Sequence, residues 1–320
     1  MKFLFRTLLF PIIVTLFLGS CKGEVKETDA SIHQKEKAPV KATLIQHTVL
    51  SDGHPLAVWE KSPTNPKGAI LFVHGRTWSG VPDFDLQVEG EDLSLMDGMV
   101  AEGYATYAID LRGYGGTPRD STEWNTPNKA AKDVHEVLQW ISEKQHRAKV
   151  HLFGWSMGST ISLLAAQQKT DHIASLSLFG FWLDLDNRIP EDPKDHRLAK
   201  IVNTPEAAAS DFIVPGSISQ KAIDTYVNVA LQADPIKVDW KNLNEYNQIA
   251  PTTLELPVLV LQGELDPIGP TDRQTKLFTR LKTADKSWVV ISGGDHAAFM
   301  ERPRPHFIQA FSGFINRFNP

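Results

Sequence analysis

Short apolar runs and amphipathic helical patterns alternate along the chain from residue 42 onward. The apolar runs are too short for helices and lack strict alternation with polar positions, which is typical of strands buried on both faces. Such strands are predicted at residues 69–73, 105–109, 150–153, 176–179, 258–261 and 288–291. Ahead of them, residues 43–50 and 56–59 flank a Ser-Asp-Gly-His-Pro turn and predict a β-hairpin. This order of elements indicates one α/β domain, residues 42–320, with a mostly parallel central sheet.

Helical patterns fit between these strands and after the last of them. They cover residues 92–102, 128–146, 157–168 and 304–318. The second has the clearest beginning, because Thr126 suits the N-cap and Pro127 the first helical position. We therefore expect helices to flank the sheet on both faces.

A long segment, residues 181–256, separates the fourth and fifth buried strands. It far exceeds an ordinary connection and predicts an inserted helical cap. One cap helix is expected to begin at residues 204–205 and end at 215–216, and a capping box of Ser217 and Gln220 predicts a second that runs to about residue 232. The apolar face of this second helix is expected to pack on the main domain rather than on a membrane; it comprises Ile223, Tyr226, Val227 and Ala230.

Composition narrows the class of protein only moderately. The chain is 42% hydrophobic and 22% charged, close to the average for soluble globular proteins and unlike disordered or collagen-like chains. Its formal net charge of -5 is spread without a block of lysine and arginine, so no nucleic-acid partner is expected.

The first twenty residues differ from the rest of the chain. Lys2 and Arg6 precede an apolar stretch, residues 8–18, which is typical of a secretory signal and too short to span a bilayer. The only cysteine, Cys21, follows directly, and Leu-Gly-Ser-Cys at residues 18–21 resembles the lipobox of a bacterial lipoprotein. That resemblance implies an exported protein that is lipidated at Cys21 and anchored to a membrane, with residues 21–41 as a polar tether.

The chemistry centres on Ser156 in the run Gly-Trp-Ser-Met-Gly, residues 154–158. A lone Gly-x-Ser-x-Gly match occurs by chance in about one of ten such chains. Here, however, a predicted strand runs into it and a helical pattern of small and apolar residues follows. Strand, sharp turn and helix together predict a nucleophile elbow with Ser156 as the nucleophile.

A serine nucleophile needs a histidine base and a carboxylate that orients this base. His296 follows the last predicted strand, at the sheet edge from which Ser156 also emerges. His74, the next candidate, is more readily interpreted as a residue that shapes the loop after an early strand. We therefore predict His296 as the base.

The preferred carboxylate is Asp266, which follows the strand at residues 258–261 on the same edge. Glu264, Asp184 and Asp186 stay open as alternatives, whereas Asp295, next to the base, is expected to support the loop. The chain order serine, aspartate, histidine is typical of one scaffold among the enzymes that use such a triad.

As a set, these motifs resemble the α/β-hydrolase family, from residue 42 to the end of the given chain. They are His-Gly at 74–75, Asp-Leu-Arg-Gly-Tyr-Gly at 110–115, the elbow, Gly-Glu-Leu-Asp at 263–266 and Gly-Gly-Asp-His at 293–296. The resemblance implies an oxyanion hole formed by the backbone N–H of Met157 and by that of Arg76, with Thr77 as the alternative. The chain departs here from the Gly-Gly-Gly loop of many lipases.

The triad predicts hydrolysis of a carboxylic ester through an acyl-serine intermediate. The same residues would serve an amidase or peptidase, a thioesterase or an acyltransferase, and an inactive anchored binding protein is a more remote alternative. Aspartate-dependent relatives, the dehalogenases and epoxide hydrolases, are disfavoured because position 156 is serine. Four aromatic residues are candidates for the wall of the acyl pocket, although plain packing is the commoner role of such side chains: Trp78, Trp155, Phe181 and Trp182. No cofactor and no metal are expected.

The anchoring hypothesis predicts that a Cys21→Ser variant loses its lipid. The wild-type chain should incorporate labelled fatty acid and sediment with membranes in the native host, because acyl chains bind a bilayer by about 0.8 kcal/mol per buried CH₂. The variant should do neither, whereas a Lys22→Ser control should behave as wild type. Equal labelling of both variants would contradict lipidation at Cys21.

Overall fold

The computed structural model describes residues 42–319. The predicted signal, residues 1–20, the tether, residues 21–41, and with them Cys21 lie outside the described residues. Within residues 42–319, no helix is long and apolar enough to cross a membrane.

The described chain is built on one eight-stranded sheet. In chain order its strands are β1 (Ile45–Ser51), β2 (His54–Lys61), β3 (Gly68–Val73), β4 (Tyr104–Ile109), β5 (Val150–Trp155), β6 (Ile173–Phe179), β7 (Val258–Gly263) and β8 (Lys286–Ile291). Their spatial order is β1-β2-β4-β3-β5-β6-β7-β8. The β1–β2 and β2–β4 pairs are antiparallel and all other pairs are parallel. The predicted fold class is confirmed.

Burial explains why these strands lack alternation in the sequence. Every residue of the five strands from β3 to β7 is buried, since helices cover both faces of the sheet. The two edge strands are more open, since β8 keeps most of its residues partly exposed and β1 exposes most of its residues. At the β1 edge the hairpin pairs Ser51 with His54, so both strands extend to the turn.

The helices connect and flank these strands. Outside the insertion they are α1 (Gly80–Phe84), α2 (Leu95–Ala101), α3 (Pro127–Lys144), α4 (Met157–Gln168), α7 (Thr271–Arg280) and α8 (Arg304–Ile315), and those of the insertion are α5 (Pro205–Ala209) and α6 (Gln220–Ala233). Two of them, α1 and α7, were not predicted. The five-residue α1 contains glycine and proline, and α7 buries only Gln274 and Leu277, so neither has a clear apolar period.

Caps set the beginnings of the helices. Thr126 accepts a hydrogen bond from the backbone N–H of Lys129, as predicted for the start of α3. The helix expected at residues 92–102 begins later, because the hydroxyl of Ser94 caps it by accepting from the N–H of Asp97 at 2.9 Å. Helix α8 ends at Ile315 and a 3-10 turn, Asn316–Phe318, follows it.

Between β6 and β7 the structure places α5 and α6 among irregular segments and short 3-10 turns. The predicted capping box at Ser217 is wrong. The cap of α6 is Ser219, which accepts from the N–H of Ala222, and Gln220 is the first helical residue. Ser217 lies in a preceding turn and donates to Glu301 at 2.7 Å.

The packing of α4 against the sheet leaves no room for side chains at two glycines. A Cβ on Gly154 would lie 2.2 Å from the carbonyl oxygen of Gly158, and one on Gly158 would lie 2.2 Å from that of Val73. The two glycines therefore allow α4 to approach β3 and β5 at a distance that no other residue permits.

A Gly158→Ala variant should lower the free energy of unfolding by roughly 3 kcal/mol, because the added methyl meets backbone that cannot move aside. The matched control is Gly313→Ala in α8, where a Cβ meets nothing within 4 Å. That change should raise the free energy of unfolding by about 0.5–1 kcal/mol, since alanine favours helix. Urea denaturation measures both, and equal stabilities of the two variants would contradict the packing argument.

Candidate active site

Ser156 occupies the sharp turn between β5 and α4. Its φ of 54° and ψ of -121° lie in a region that residues with a side chain rarely adopt. Its N–H donates to the carbonyl of Phe179 at 2.9 Å, which ties the turn to the end of β6. Backbone strain of this kind, held by surrounding hydrogen bonds, is typical of catalytic positions.

His296 and Asp266 form a buried pair in the loops after β8 and β7. The distance from His296 Nδ1 to Asp266 Oδ2 is 2.9 Å. Asp266 Oδ1 also accepts from the N–H groups of Ile268 and Gly269, at 2.8 and 3.0 Å. Burial alone would raise the pKa of Asp266, but its hydrogen bonds to His296 and to these N–H groups outweigh burial and lower it. The carboxylate is therefore ionised and can orient the imidazole.

Two further contacts hold His296 in place. The indole Nε1–H of Trp155, next to Ser156, donates to the carbonyl oxygen of His296 at 2.6 Å. Gly180, with φ of 62°, lies so close that a Cβ there would be 2.7 Å from Cε1 of the ring. Gly180 was not singled out from the sequence, and its position directly after β6 was the only available signal.

Ser156 and His296 line one cavity of about 180 Å³, together with Arg76, Trp78, Asp83 and Asp211. Within the described residues, the Ser156 hydroxyl makes no hydrogen bond to His296. Such contacts are often long in a free enzyme and tighten when substrate binds. The structure thus brings the three predicted triad residues to one edge of the sheet, with Nε2 as the ring nitrogen that Asp266 leaves free.

A second cavity, of about 220 Å³, also reaches Ser156 and shares Arg76 and Ile268 with the first. It is lined mainly by apolar side chains, among them Met157, Trp182, Leu243 and Ile268. Of the four predicted pocket aromatics, Trp78 and Trp155 line the first cavity and Trp182 lines the second. Phe181 is fully buried in the core and lines neither.

The other candidates for the triad lie elsewhere. Glu264 accepts from Ser292 and from the N–H of Gly293, and Asp184 and Asp186 pair with Lys276 on α7. None of these carboxylates bonds to His296.

His74 also lies outside the triad. Its Nδ1 lies 2.8 Å from the carbonyl oxygen of Gly75, and its Nε2 accepts from the N–H of Leu111. Burial lowers the pKa of His74 to about 4, so the ring is neutral and holds two loops together.

The predicted oxyanion hole lies between α4 and the loop after β3. Met157 is the first residue of α4, so its N–H has no partner within the helix. The carbonyl of Arg76 accepts from the hydroxyl of Tyr114, which fixes the orientation of the loop backbone. Asp234 of the cap accepts from the N–H of Ser79 at 2.8 Å and restrains the same loop.

Asp83 and Asp211 line the first cavity and were not identified from the sequence, and Tyr226, expected only as part of an apolar face, bonds to both. The hydroxyl of Tyr226 lies 3.0 Å from Asp83 Oδ1 and 3.3 Å from Asp211 Oδ2. These residues come from α1, the cap turn after α5, and α6, and no local motif connects them. We call them the acidic cluster. Elsewhere in residues 42–319, as here, no group of three or more His, Cys, Asp or Glu side chains could hold a metal ion.

A strained serine opposite a buried histidine–aspartate pair, on a mostly parallel sheet, defines a serine hydrolase of the α/β-hydrolase fold. A family model described as serine aminopeptidase, S33, matches residues 64–303, well over half of the chain. The chain therefore belongs to this family.

Individual relatives are distant. The chain is 24% identical to the monoglyceride lipase of Rattus norvegicus over 281 residues, which cover 81% of this chain and 85% of the relative. Among solved structures, the monoacylglycerol lipase of Paleococcus ferrophilus has a TM-score of 0.57 at 18% identity and covers 86% of this chain and 99% of its own. The thioesterase domain from the curacin biosynthetic pathway has a TM-score of 0.61 at 15% identity and covers 86% and 99%. These structural likenesses show the fold, and at family level the protein is a serine hydrolase of the esterase and lipase type.

An Asp266→Asn variant should lower kcat by roughly 10⁴-fold with little change of KM, because the amide favours the wrong tautomer of His296. Hydrolysis of a short-chain chromogenic ester measures this loss. The matched control is Glu264→Gln, two residues away, which should keep kcat near the wild-type value. An equal loss in both variants would exclude Asp266 as the partner of His296.

Proposed function

We propose that the protein hydrolyses carboxylic esters through an acyl-serine intermediate. The observation that carries this proposal is the position of Ser156, which has a strained backbone and shares a cavity with His296, while Asp266 binds Nδ1 of the imidazole. Strain, base and orienting carboxylate are what a serine needs to become a nucleophile at neutral pH.

The reaction follows from this geometry. His296 Nε2 accepts the proton of the Ser156 hydroxyl as its oxygen attacks the ester carbonyl, and the carbonyl oxygen becomes an oxyanion. The N–H groups of Met157 and Arg76 stabilise that charge; loss of one such donor costs about 3 kcal/mol. The imidazolium then protonates the leaving alcohol. In the second half-reaction, His296 takes a proton from water as the water oxygen attacks the acyl carbon, and it returns this proton to the Ser156 oxygen as the acid leaves.

Two observations bear on the substrate, the first on its acid part and the second on the bond that is cleaved. The cavity lined by Met157, Trp182 and Leu243 suits the hydrocarbon part of an acyl group. In addition, the curated relative and one of the structural neighbours are named as lipases of monoacylglycerols. The family is named after aminopeptidases, which cleave amides. A comparison of the rates for the ester and the amide of the same acid therefore distinguishes an esterase from an amidase.

The lipoprotein anchor belongs to the same proposal. A triad in residues 42–319 and a lipid at Cys21 would place an ester hydrolase next to a membrane outside the cytoplasm. This part rests on the sequence of residues 1–21 alone.

A Ser156→Ala variant should lose all hydrolysis of a p-nitrophenyl ester and all labelling by a fluorophosphonate, since both require the activated hydroxyl. A Ser210→Ala variant, which changes a serine on the cap, should retain both. The wild-type enzyme should cleave the ester of a given acid at least about 100-fold faster than its anilide. Retained activity in Ser156→Ala would exclude the serine mechanism, and faster cleavage of the anilide would favour an amidase.

A further inference from the structure

The two cavities that meet at Ser156 differ in chemistry. One is lined mainly by apolar side chains. The other is lined by Asp83 and Asp211 of the acidic cluster, together with Trp78 and His296, and Arg76 lines both cavities. An ester has an acyl side and an alcohol side. Two unlike cavities at the serine can therefore each bind one of these sides. The apolar cavity suits the acyl side, which leaves the acidic cluster to the alcohol side.

The hydrogen-bond pattern of the acidic cluster determines how many protons it holds. Tyr226 has one hydroxyl hydrogen but lies within hydrogen-bond distance of two carboxyl groups. Both contacts are favourable when one carboxyl is protonated and donates to the tyrosine oxygen. Asp83 suits this role, because burial and the charge of Asp211 raise its pKa well above the usual value. Asp211 is then the ionised carboxylate of the cluster at neutral pH, because burial raises its own pKa only to about 6.

The charge of the cavity favours a neutral ligand over a cation. With Asp83 protonated, Asp211 carries the negative charge of the cluster, and Arg76 on the same wall carries a positive one. Asp295 lies nearby, but its carboxylate accepts from the N–H groups of Ile213 and Val214 and from that of Ala297. A cation would gain little net attraction here, whereas a neutral donor finds a strong acceptor in a partly buried carboxylate.

We propose that Asp211, positioned by Tyr226 and Asp83, binds the alcohol part of the substrate and selects esters whose alcohol carries a further free hydroxyl group. This inference rests on the proposed ester hydrolysis at Ser156. The substrate hydroxyl donates to Asp211. Asp211 acts as a specificity-determining residue, and Tyr226 is a positioning residue that acts through it.

Two esters of one fatty acid with three-carbon alcohols test the proposal, the 1-glyceryl ester with two free hydroxyls and the propyl ester with none. The wild-type enzyme should show a kcat/KM about tenfold or more higher for the glyceryl ester, the factor that corresponds to one hydrogen bond to a charged group. Asp211→Leu, which removes the acceptor, should abolish this ratio. Asp211→Asn, which keeps a weaker acceptor, should reduce it less, and Tyr226→Phe should also reduce it.

The matched control is Asp224→Asn, an exposed carboxylate on α6 two residues from Tyr226, which should keep the wild-type ratio. A ratio between two substrates does not change when a variant only loses folded protein. The choline ester of the same acid tests charge without a donor, and its preference over the glyceryl ester would overturn the assignment. A wild-type ratio of kcat/KM near one would overturn this inference and leave the proposed ester hydrolysis intact. The same holds for a ratio that is unchanged in Asp211→Leu. If the wild type cleaves neither ester, the proposed function itself fails.

Discussion

The close approach of α4 to the strands beneath it is the constraint on which the site depends. The carbonyl oxygens of Val73 and Gly158 occupy the places that side chains at residues 158 and 154 would need. Only with this approach does the chain turn sharply enough to hold Ser156 at a positive φ, a conformation that costs on the order of 1–3 kcal/mol. The buried β3, β5 and β6 supply the rigid surroundings that sustain the strain, and Ser156 donates its N–H to β6. The packing of α4 against the sheet therefore also determines the position of the nucleophile.

Much of the fold could be predicted from the sequence because its signals are local. Strands buried on both faces appear as apolar runs, and parallel strands bring their carboxyl ends to one edge, so Ser156, Asp266 and His296 could be expected to meet although they are far apart in the chain. Some helix caps were equally local, as Thr126 at the start of α3 illustrates. Patterns of this kind are determined by neighbouring residues and need no knowledge of the tertiary structure.

Features that depend on long-range contacts could not be predicted in the same way. Ser217 and Ser219 are equally suited to cap α6, and the choice is made by Glu301, which takes the hydroxyl of Ser217. Helix α7 is mostly polar, so its position beside β7 leaves little trace in the hydropathy. The acidic cluster is the clearest case, since nothing near Asp83 in the sequence indicates that Tyr226, from a distant part of the chain, contacts it. Phe181 shows the converse, because an aromatic residue at a strand end packs in the core instead of lining a cavity.

The cap and the catalytic loop are joined at the residue next to the base. Asp295 accepts from Ile213 and Val214 of the cap at 2.8 and 2.7 Å, and the adjacent His296 faces Ser156. These N–H groups lie two and three residues after Asp211, so two hydrogen bonds and two short backbone segments connect the carboxylate that we assign to the alcohol side with the imidazole. A displacement of this part of the cap would therefore move the specificity group and the general base together. Because leaving-group recognition and protonation of the leaving oxygen must occur in the same geometry, this shared attachment lets one substrate pose satisfy both.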